Sequence, residues 1–225
     1  MNFTFGIITS NTVDQSVLNS IYDQNIPKFE IIVVGGHPPI NHKHYRSPIT
    51  HIPFNETIKQ NWITRKKNII TENAKYNNIV FMHDYVQLSK NWYTEFLKFG
   101  DEWDICMNKI YNLDNTRFRD WCAYDDPEIN WPGGGYPETH TNNGHRIMLP
   151  SYKYDKKQYM YISGTYWVAK KYVMEQEPLN ESLVWGESED VEWSKRVLNK
   201  YDYKMNTDSI VTVLKQKRLS AEYLD

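Results

Sequence analysis

The sequence predicts an α/β fold, in which a mixed, mostly parallel sheet is flanked by helices. Two apolar, β-branched runs, at residues 3–8 and 29–34, have the composition of strands buried on both faces. Between them, Val17, Leu18 and Ile21 recur at the spacing of a helix. A strand, a helix and a second strand at this spacing form a parallel βαβ unit with a right-handed crossover.

Composition places the chain among globular proteins and excludes several functions. The 225 residues are 40% apolar and 24% charged, which is enough to bury a sizeable core. A formal net charge of −2 gives no basic field of the kind that gathers nucleic acid, so we predict no nucleic-acid partner. No apolar run approaches the roughly 20 residues that span a bilayer, and the N-terminus lacks a signal-peptide pattern. We therefore expect a soluble, unsecreted, cytoplasmic protein without a transmembrane segment.

The two cysteines, Cys106 and Cys122, form neither a disulfide framework nor a CxxC metal motif. We expect them to be buried as small apolar side chains. The 17 tyrosines and 8 tryptophans serve either as core residues or as platforms for flat apolar faces of a ligand.

The most informative stretch is residues 78–86, where an apolar run ends at His83, Asp84 and Tyr85. In an open α/β sheet, ligands bind beyond the carboxyl ends of the strands, so a carboxylate placed there suits chemistry rather than packing. The alternative is that His83 and Asp84 open a turn or cap the helix that follows.

Residues 61–74 predict a helix whose early turns carry Arg65, Lys66 and Lys67. These cations either meet a phosphate group in the crevice beside Asp84 or form a solvated helix face. We also predict a short strand at residues 49–52, a helix at 92–99 and a strand at 105–110.

The middle of the chain is less regular. Residues 117–146 are predicted to form a long irregular segment, and such segments tend to be functional or mobile. Within it we predict that residues 131–145, rich in glycine, form a lid or an acceptor-binding loop, with a surface insertion as the alternative. Residues 117–121, which include Arg117 and Arg119, are an alternative binding site for an anionic sugar or phosphate.

Strand character returns at residue 159 and is interrupted by Ser163-Gly164. A glycine within a strand often marks the close approach of another backbone or a ligand. Further on, Glu189 and Asp190 open an amphipathic helix that follows a turn at Trp185-Gly186. Carboxylates in a first helical turn are ordinary because they favour the positive end of the helix dipole, so capping is the alternative to catalysis.

The order of these segments resembles family 2 glycosyltransferases of the GT-A fold. FTFGIITSN, DQSVLNSIYDQNIPKFEIIVVGG and NWITRKKNIITENAKYNNIVFMHDYV carry the resemblance over about the first 90 residues. WGESEDVEWSKR is similar to the WGxED element of inverting GT-A enzymes. The chain departs from the family at Gly35-Gly36, where an acidic pair is usual, and at His83-Asp84-Tyr85, a reduced acidic metal motif.

The resemblance implies one GT-A (Rossmann-like) domain over residues 1–225, with a nucleotide-sugar-binding half at 1–110 and an acceptor-binding half at 111–225. It implies metal-assisted transfer of a sugar, with inversion, from a UDP- or GDP-linked donor to a carbohydrate or glycoconjugate acceptor. Asp190 would be the catalytic base, and Asp84 would ligate Mn²⁺ or Mg²⁺. Many relatives supply a metal-binding histidine late in the chain; here none lies beyond His145, and Lys215 would meet the diphosphate instead.

The remaining site residues implied by the resemblance fall into two groups. The donor-binding residues are Thr9, Ser10, Asn11, Arg65, Lys67, His83, Asp84 and Lys215. The acceptor-binding residues are Gly164, Trp185, Glu187 and Glu189.

Two other functions stay open. The glycine pair and the reduced metal motif favour a catalytically inactive nucleotide- or glycan-binding module. A glycoside hydrolase would use paired carboxylates about 5 to 10 Å apart across a cleft and would need no nucleotide.

Overall fold

The α/β class predicted from the sequence is confirmed. A computed structural model describes residues 1–37, 49–129, 141–142, 145–217 and 221–222. In these ranges a large mixed sheet is flanked by helices. None of the helices in the same ranges is both long and apolar enough to cross a bilayer.

The elements are named in chain order. The strands are β1 (Phe3–Ile8), β2 (Phe29–Val34), β3 (Ile49–Ile52), β4 (Asn78–His83), β5 (Val86–Leu88), β6 (Ile105–Asn112), β7 (Arg117–Phe118), β8 (Cys122–Tyr124), β9 (Thr141–Asn142), β10 (His145–Leu149), β11 (Met160–Tyr161), β12 (Tyr166–Lys170), β13 (Tyr203–Val213) and β14 (Ala221–Glu222). The helices are α1 (Gln15–Tyr22), α2 (Ile63–Asn73), α3 (Trp92–Phe99), α4 (Lys171–Gln176) and α5 (Glu189–Val197).

The main sheet has the strand order β3-β2-β1-β4-β12-β6-β13-β5 over the described ranges, with β7 beside β6. Strands β3, β2, β1 and β4 run parallel to one another. Strand β12 is antiparallel to both of its neighbours, β4 and β6. Strands β12 and β13, from the second half of the chain, therefore belong to the same sheet as the strands of the first half. The division into two functional halves near residue 110 stays a prediction.

The register of the parallel strands gathers their carboxyl ends at one edge. Ile8 pairs with Val34 on one side and with His83 on the other, so the residues after these three strands emerge together. Strand β12 enters the sheet opposite Met82, and the turn that precedes it, residues 163–165, reaches the same edge. The candidate site lies there.

The helices follow the predicted patterns. Asp14 caps α1, because its Oδ1 accepts a hydrogen bond from the Ser16 N–H at 2.8 Å. The apolar stripe of α1 is buried, as predicted. The first turn of α5 is acidic and its last turn is basic, which matches the helix dipole at both ends.

A second sheet occupies part of the segment predicted to be irregular, so that prediction is wrong for the strands it contains. Its order over the described residues is β11-β8-β10-β14, with β9 beside β10. A buried ion pair lies in the segment that leads into β8. Arg117 Nε donates to Asp120 Oδ1 at 2.8 Å, and the Tyr152 hydroxyl donates to Asp120 Oδ2 at 2.8 Å. Most of the loop predicted at residues 131–145 lies outside the described residues.

The core contains many of the aromatic side chains. Trp92, Trp167 and Trp193 are fully buried, and Phe81 stacks on Trp167 with ring centroids 4.7 Å apart. Burying rings of this size stabilises the fold by about 1.5–3 kcal/mol or more for each side chain. The two cysteines are buried and free, as predicted.

Candidate active site

Two cavities open where the parallel strands end. The Asp84 cavity has a volume of about 190 Å³ and the Asp190 cavity about 250 Å³. His83 and Trp185 line both of them, so the cavities are neighbours. A molecule that fills both would contact these two side chains.

The structure brings together ten of the predicted site residues. Those lining the Asp84 cavity are Thr9, Ser10, Asn11, His83, Asp84, Trp185 and Lys215. Those lining the Asp190 cavity are His83, Gly164, Trp185, Glu189 and Asp190. Of the other three, Arg65, Lys67 and Glu187, none lines either cavity.

Asp84 is held by the loop that follows β1. Thr9 Oγ1 donates to Asp84 Oδ2 at 2.6 Å, and the Asn11 N–H donates to Thr9 Oγ1 at 2.9 Å. The N-cap position of the next helix, α3, is Asn91. Asp84 therefore does not cap that helix, and its carboxylate faces the crevice.

The glycine pair after β2 is required by the close approach of two loops. A Cβ on Gly35 would lie 2.3 Å from the Thr9 carbonyl oxygen, and one on Gly36 would lie 1.8 Å from the Asn11 carbonyl oxygen. Both glycines also have left-handed φ angles, +89° and +58°. An acidic pair would not fit at these two positions unless the loop that holds Asp84 moved.

Positive charge is concentrated around the Asp84 cavity. Lys66 is buried, donates to the Thr9 carbonyl oxygen at 2.8 Å and pairs with Glu56. The ammonium groups of Lys215 and Lys217 lie 4.8 and 4.5 Å from the centroid of the Tyr85 ring. Neither forms an ion pair with any residue that the structure describes. Two cations over one ring repel each other and attract an anion.

His83 stands between the cavities as a neutral side chain. Burial lowers the pKa of His83 well below its usual value, and four lysines, Lys67, Lys217, Lys66 and Lys215, act in the same direction. The imidazole stacks on the Tyr85 ring with centroids 5.1 Å apart. Burial also raises the pKa of Tyr85 to about 12, so neither ring is charged at neutral pH.

A metal ion would find one protein ligand in the Asp84 cavity. In the part of the chain that the structure describes, no three His, Cys, Asp or Glu side chains converge on one point. Mg²⁺ and Mn²⁺ take oxygen ligands, and Mg²⁺ commonly binds one or two carboxylates together with phosphate oxygens and water. Asp84 fits such an ion as a single carboxylate ligand.

Asp190 is fixed in the first turn of α5. Its Oδ2 accepts from the Gly164 N–H at 3.1 Å, and its Oδ1 accepts from the Val191 N–H at 2.9 Å. Lys67 contacts the same glycine, because its Nζ donates to the Gly164 carbonyl oxygen at 2.8 Å. The prediction that Lys67 binds the donor is therefore not supported, because its ammonium group is buried under the Asp190 cavity.

Glu189 is a buried carboxylate beside Asp190. Burial and the neighbouring Asp190 charge raise the pKa of Glu189 to about 7, and Lys67 opposes them. A Cβ on Gly164 would lie 3.0 Å from Glu189 Oε1 and 3.2 Å from Asp190 Oδ2. Gly164 thus lets both carboxylates approach the turn before β12.

Trp185 is presented to solvent at the boundary of the two cavities. The residue is 60% exposed, and its backbone N–H donates to the Asn61 carbonyl oxygen at 3.0 Å. Glu187, predicted to bind the acceptor, instead accepts from the Val184 N–H at 2.9 Å and closes the turn that carries Trp185. The exposed indole offers a flat surface for a sugar ring.

Arg65, predicted to bind the donor, lies away from the crevice. Its guanidinium pairs with Glu72 at 2.5 Å and with Glu181 at 3.1 Å. These two glutamates line a larger cavity, about 450 Å³, which contains neither Asp84 nor Asp190. We place the chemistry in the smaller cavities because the strand ends converge there.

Several lining residues were not predicted from the sequence. Ser188 is the clearest: it has a left-handed φ of 57°, it is 6% exposed, and its Oγ has no hydrogen-bond partner among the described residues. Asn61 also has a left-handed φ, which asparagine tolerates better than most residues. An asparagine just before a helix could therefore have been recognised in the sequence as a candidate site residue. Arg119, predicted as an alternative anion ligand, lines the Asp190 cavity.

These features define a mixed α/β protein with its candidate site at the carboxyl ends of parallel strands. Solved structures share the fold. S. aureus TarS 1-349 superimposes with a TM-score of 0.62 at 14% identity, over 95% of this chain and 60% of that chain. Its complex with UDP gives 0.59 at 16% identity, over 95% and 61%, and its complex with UDP-GlcNAc gives 0.60 at 13%, over 98% and 60%.

The chain thus spans about 60% of the length of these TarS structures. No family model matches the sequence, and no curated protein does. At this level of identity the likeness shows the fold.

Proposed function

We propose that this chain is a glycosyltransferase that moves a sugar, with inversion, from a UDP- or GDP-linked donor to a hydroxyl group of a carbohydrate or glycoconjugate. The supporting observation is the pair of neighbouring cavities, one rich in cations and the other holding a carboxylate pair. A sugar nucleotide has a charged half and a neutral half that match this division. TarS was crystallised with UDP-GlcNAc, so this compound is the first donor to test.

The diphosphate of the donor would lie in the Asp84 cavity. Lys215 and Lys217 form no ion pair among the described residues, and the nearby acidic charge that acts on Lys217 is that of Asp84. The oxygens of a diphosphate would pair with both ammonium groups. Thr9, Ser10 and Asn11 present the backbone and hydroxyl groups of the loop after β1 to the same space.

Asp84 would hold a divalent cation, Mn²⁺ or Mg²⁺, as its one carboxylate ligand. Such an ion supplies charge stabilisation to the departing diphosphate. The chain's own contribution is to orient Asp84 through Thr9, whose hydroxyl donates to the carboxylate at 2.6 Å.

Asp190 would act as the general base. Its carboxylate takes the proton of the acceptor hydroxyl while the hydroxyl oxygen bonds to the anomeric carbon of the sugar. The bond from that carbon to the diphosphate oxygen breaks, and its electron pair leaves with the nucleoside diphosphate. The backbone N–H groups of Gly164 and Val191 fix the carboxylate for this role. Trp185 and Gly164 would contact the acceptor sugar.

Thermal unfolding with UDP, GDP, UDP-GlcNAc and other nucleotide sugars, each with and without Mn²⁺, tests this proposal. A ligand present at 100 times its Kd stabilises the fold by about 2.7 kcal/mol, a shift of roughly 5–10 °C for a domain of this size. Asp84→Ala should reduce the stabilisation that depends on Mn²⁺, because the bridging cation loses its protein ligand.

The matched control is Asp23→Ala, which removes an exposed carboxylate at the end of α1. It should respond to nucleotides as the wild type does. A wild-type protein that no nucleotide stabilises would refute the proposal and favour the hydrolase alternative. Stabilisation without release of nucleoside diphosphate in any acceptor mixture would favour the inactive binding module.

A further inference from the structure

A buried lysine, Lys67, lies near the carboxylate pair of the Asp190 cavity, which is Glu189 and Asp190. Lys67 is 1% exposed, and its ammonium group donates to the Gly164 carbonyl oxygen and lies 4.4 Å from the centroid of the Trp167 ring. The Gly164 N–H donates to Asp190 Oδ2, so one glycine links the lysine to the carboxylate. A buried charge is costly unless it is paired, and the groups available to Lys67 are Glu189 and Asp190.

The charges around this cluster do not balance if both carboxylates are ionised. Two negative charges on Glu189 and Asp190 would face the single positive charge of Lys67. Burial penalises this state most strongly at Glu189, which is 6% exposed. With one proton on the pair, one negative charge faces one positive charge.

The other titratable groups facing the cluster leave this balance in place. His83, from β4, and Tyr161, from β11, are uncharged near neutral pH, because burial lowers the pKa of the imidazole and raises that of the phenol. Arg119, which follows β7, also lines the Asp190 cavity. The charges that act most strongly on the Glu189 carboxyl are those of Asp190, Lys67 and Glu187. Glu187 adds negative charge from the turn before α5, which further favours a proton on Glu189.

We propose that Lys67 is a positioning residue: it holds Gly164 against Asp190, and its positive charge balances the one negative charge that is left on the pair while Glu189 carries a proton. This inference rests on the proposed function only where it concerns catalysis. Asp190 is then available as the base, and Glu189 is an O–H donor in the same cavity. Lys67 itself contacts neither substrate.

Carbon-13 NMR of the side-chain carboxyl groups tests the charge arrangement without any substrate. Glu189→Gln and Asp190→Asn identify the two signals. In the wild type Glu189 should titrate near pH 7. In Lys67→Met, which keeps the length of the side chain, the Glu189 midpoint should rise, because the Lys67 charge lowers the Glu189 pKa in the wild type. We expect a rise of about 1 pH unit, the low end of the effect of a nearby opposite charge.

The matched control is Lys66→Met, which removes the adjacent lysine that is bonded to Thr9 and Glu56. It should leave the Glu189 midpoint unchanged. A folded Lys67→Met protein whose Glu189 midpoint does not rise would overturn the inference. If Lys67→Met does not fold, Asp190→Asn decides: the Glu189 midpoint must fall, because Asp190 no longer repels the second charge and Lys67 remains.

The catalytic part has its own measurement, the pH dependence of UDP release from UDP-GlcNAc. Lys67→Met should move the acid limb of the rate to higher pH, in the same direction as the NMR midpoint, because the base Asp190 loses the same nearby cation, and the KM for the donor should be unchanged. A lower rate with an unmoved acid limb would mean that Lys67 only supports the fold. If no variant releases UDP, the proposed function fails, while the NMR titration still decides the role of Lys67.

Discussion

Replacing Glu189 with glutamine should stabilise the fold at alkaline pH and have little effect at acid pH. Burial and Asp190 raise the pKa of Glu189 from 4.5 to about 7 in the folded protein. The folded-state pKa of Glu189 is higher than its unfolded-state pKa. The stabilisation that the protonated side chain gives the fold is therefore fully present below pH 4.5 and is lost as the pH rises to about 7. A difference of about 2.5 pH units corresponds to roughly 3 kcal/mol, at about 1.4 kcal/mol for each unit.

Urea unfolding of the wild type and of Glu189→Gln at pH 5 and pH 8 measures this cost. The variant should gain about 2–3 kcal/mol relative to the wild type between the two pH values, because glutamine has no proton to lose. In thermal unfolding this is a relative shift of roughly 4–12 °C, at 2–4 °C for each kcal/mol.

Glu192→Gln is the matched control on the same helix. Glu192 accepts from Arg196 Nε at 2.7 Å and is only partly buried, so this variant should differ from the wild type by a similar amount at both pH values. If Glu189→Gln also showed a constant difference, Glu189 would ionise as a solvated carboxylate does. The reasoning about a shared proton would then be wrong.

Three further predictions concern the cavities. Asp190→Asn should reduce turnover of UDP-GlcNAc by about 10²- to 10⁴-fold and leave donor binding intact; a variant that keeps a third of the wild-type rate contradicts the assignment of the base. The double variant Lys215→Met, Lys217→Met should weaken UDP binding at least tenfold in calorimetry with or without Mn²⁺, and unchanged affinity would place the diphosphate elsewhere. Ser188→Gly should raise the free energy of unfolding by about 1 kcal/mol in urea, because glycine adopts the left-handed φ without strain; a loss of stability would show that the buried hydroxyl has a partner.

Strands β1 and β2 were predictable from the sequence because a parallel sheet buries both faces of its inner strands, and the edge strand β3 was recognised from its β-branched residues. Phe3–Ile8, Phe29–Val34 and Ile49–Ile52 have the predicted bounds, and so does the helix Trp92–Phe99. The apolar runs end where the backbone leaves the sheet, so the ends of the strands, and with them Thr9 and Asp84, could be located.

The second sheet could not be predicted because its strands are only two to five residues long over the described ranges. Runs this short carry no readable alternation. Its support also comes from polar residues, Arg117, Asp120 and Tyr152, which sequence patterns assign to the surface. Only the folded structure shows that Arg117 and Asp120 are buried and that hydrogen bonds to Asp120 join the three side chains.

The roles of the three cations on α2 could not be predicted for a similar reason. Successive residues on a helix point about 100° apart, so adjacent charges cannot all face one crevice. Arg65 pairs with glutamates, while Lys66 and Lys67 are buried because the carbonyl oxygens of Thr9 and Gly164 accept their hydrogen bonds. These partners come from loops 57 and 97 residues distant in sequence.

The separation of the two cavities has a chemical consequence for the proposed reaction. The departing diphosphate needs positive charge, whereas a base loses basicity when cations surround it. Lys215 and Lys217 lie over the Tyr85 ring on one side. On the other side, Lys67 is the cation that acts on the Glu189 carboxyl, and Arg119 also lines that cavity. The side chain between them, His83, is neutral because burial and the nearby lysines lower its pKa. One end of the cleft can therefore stabilise negative charge while the other end accepts a proton.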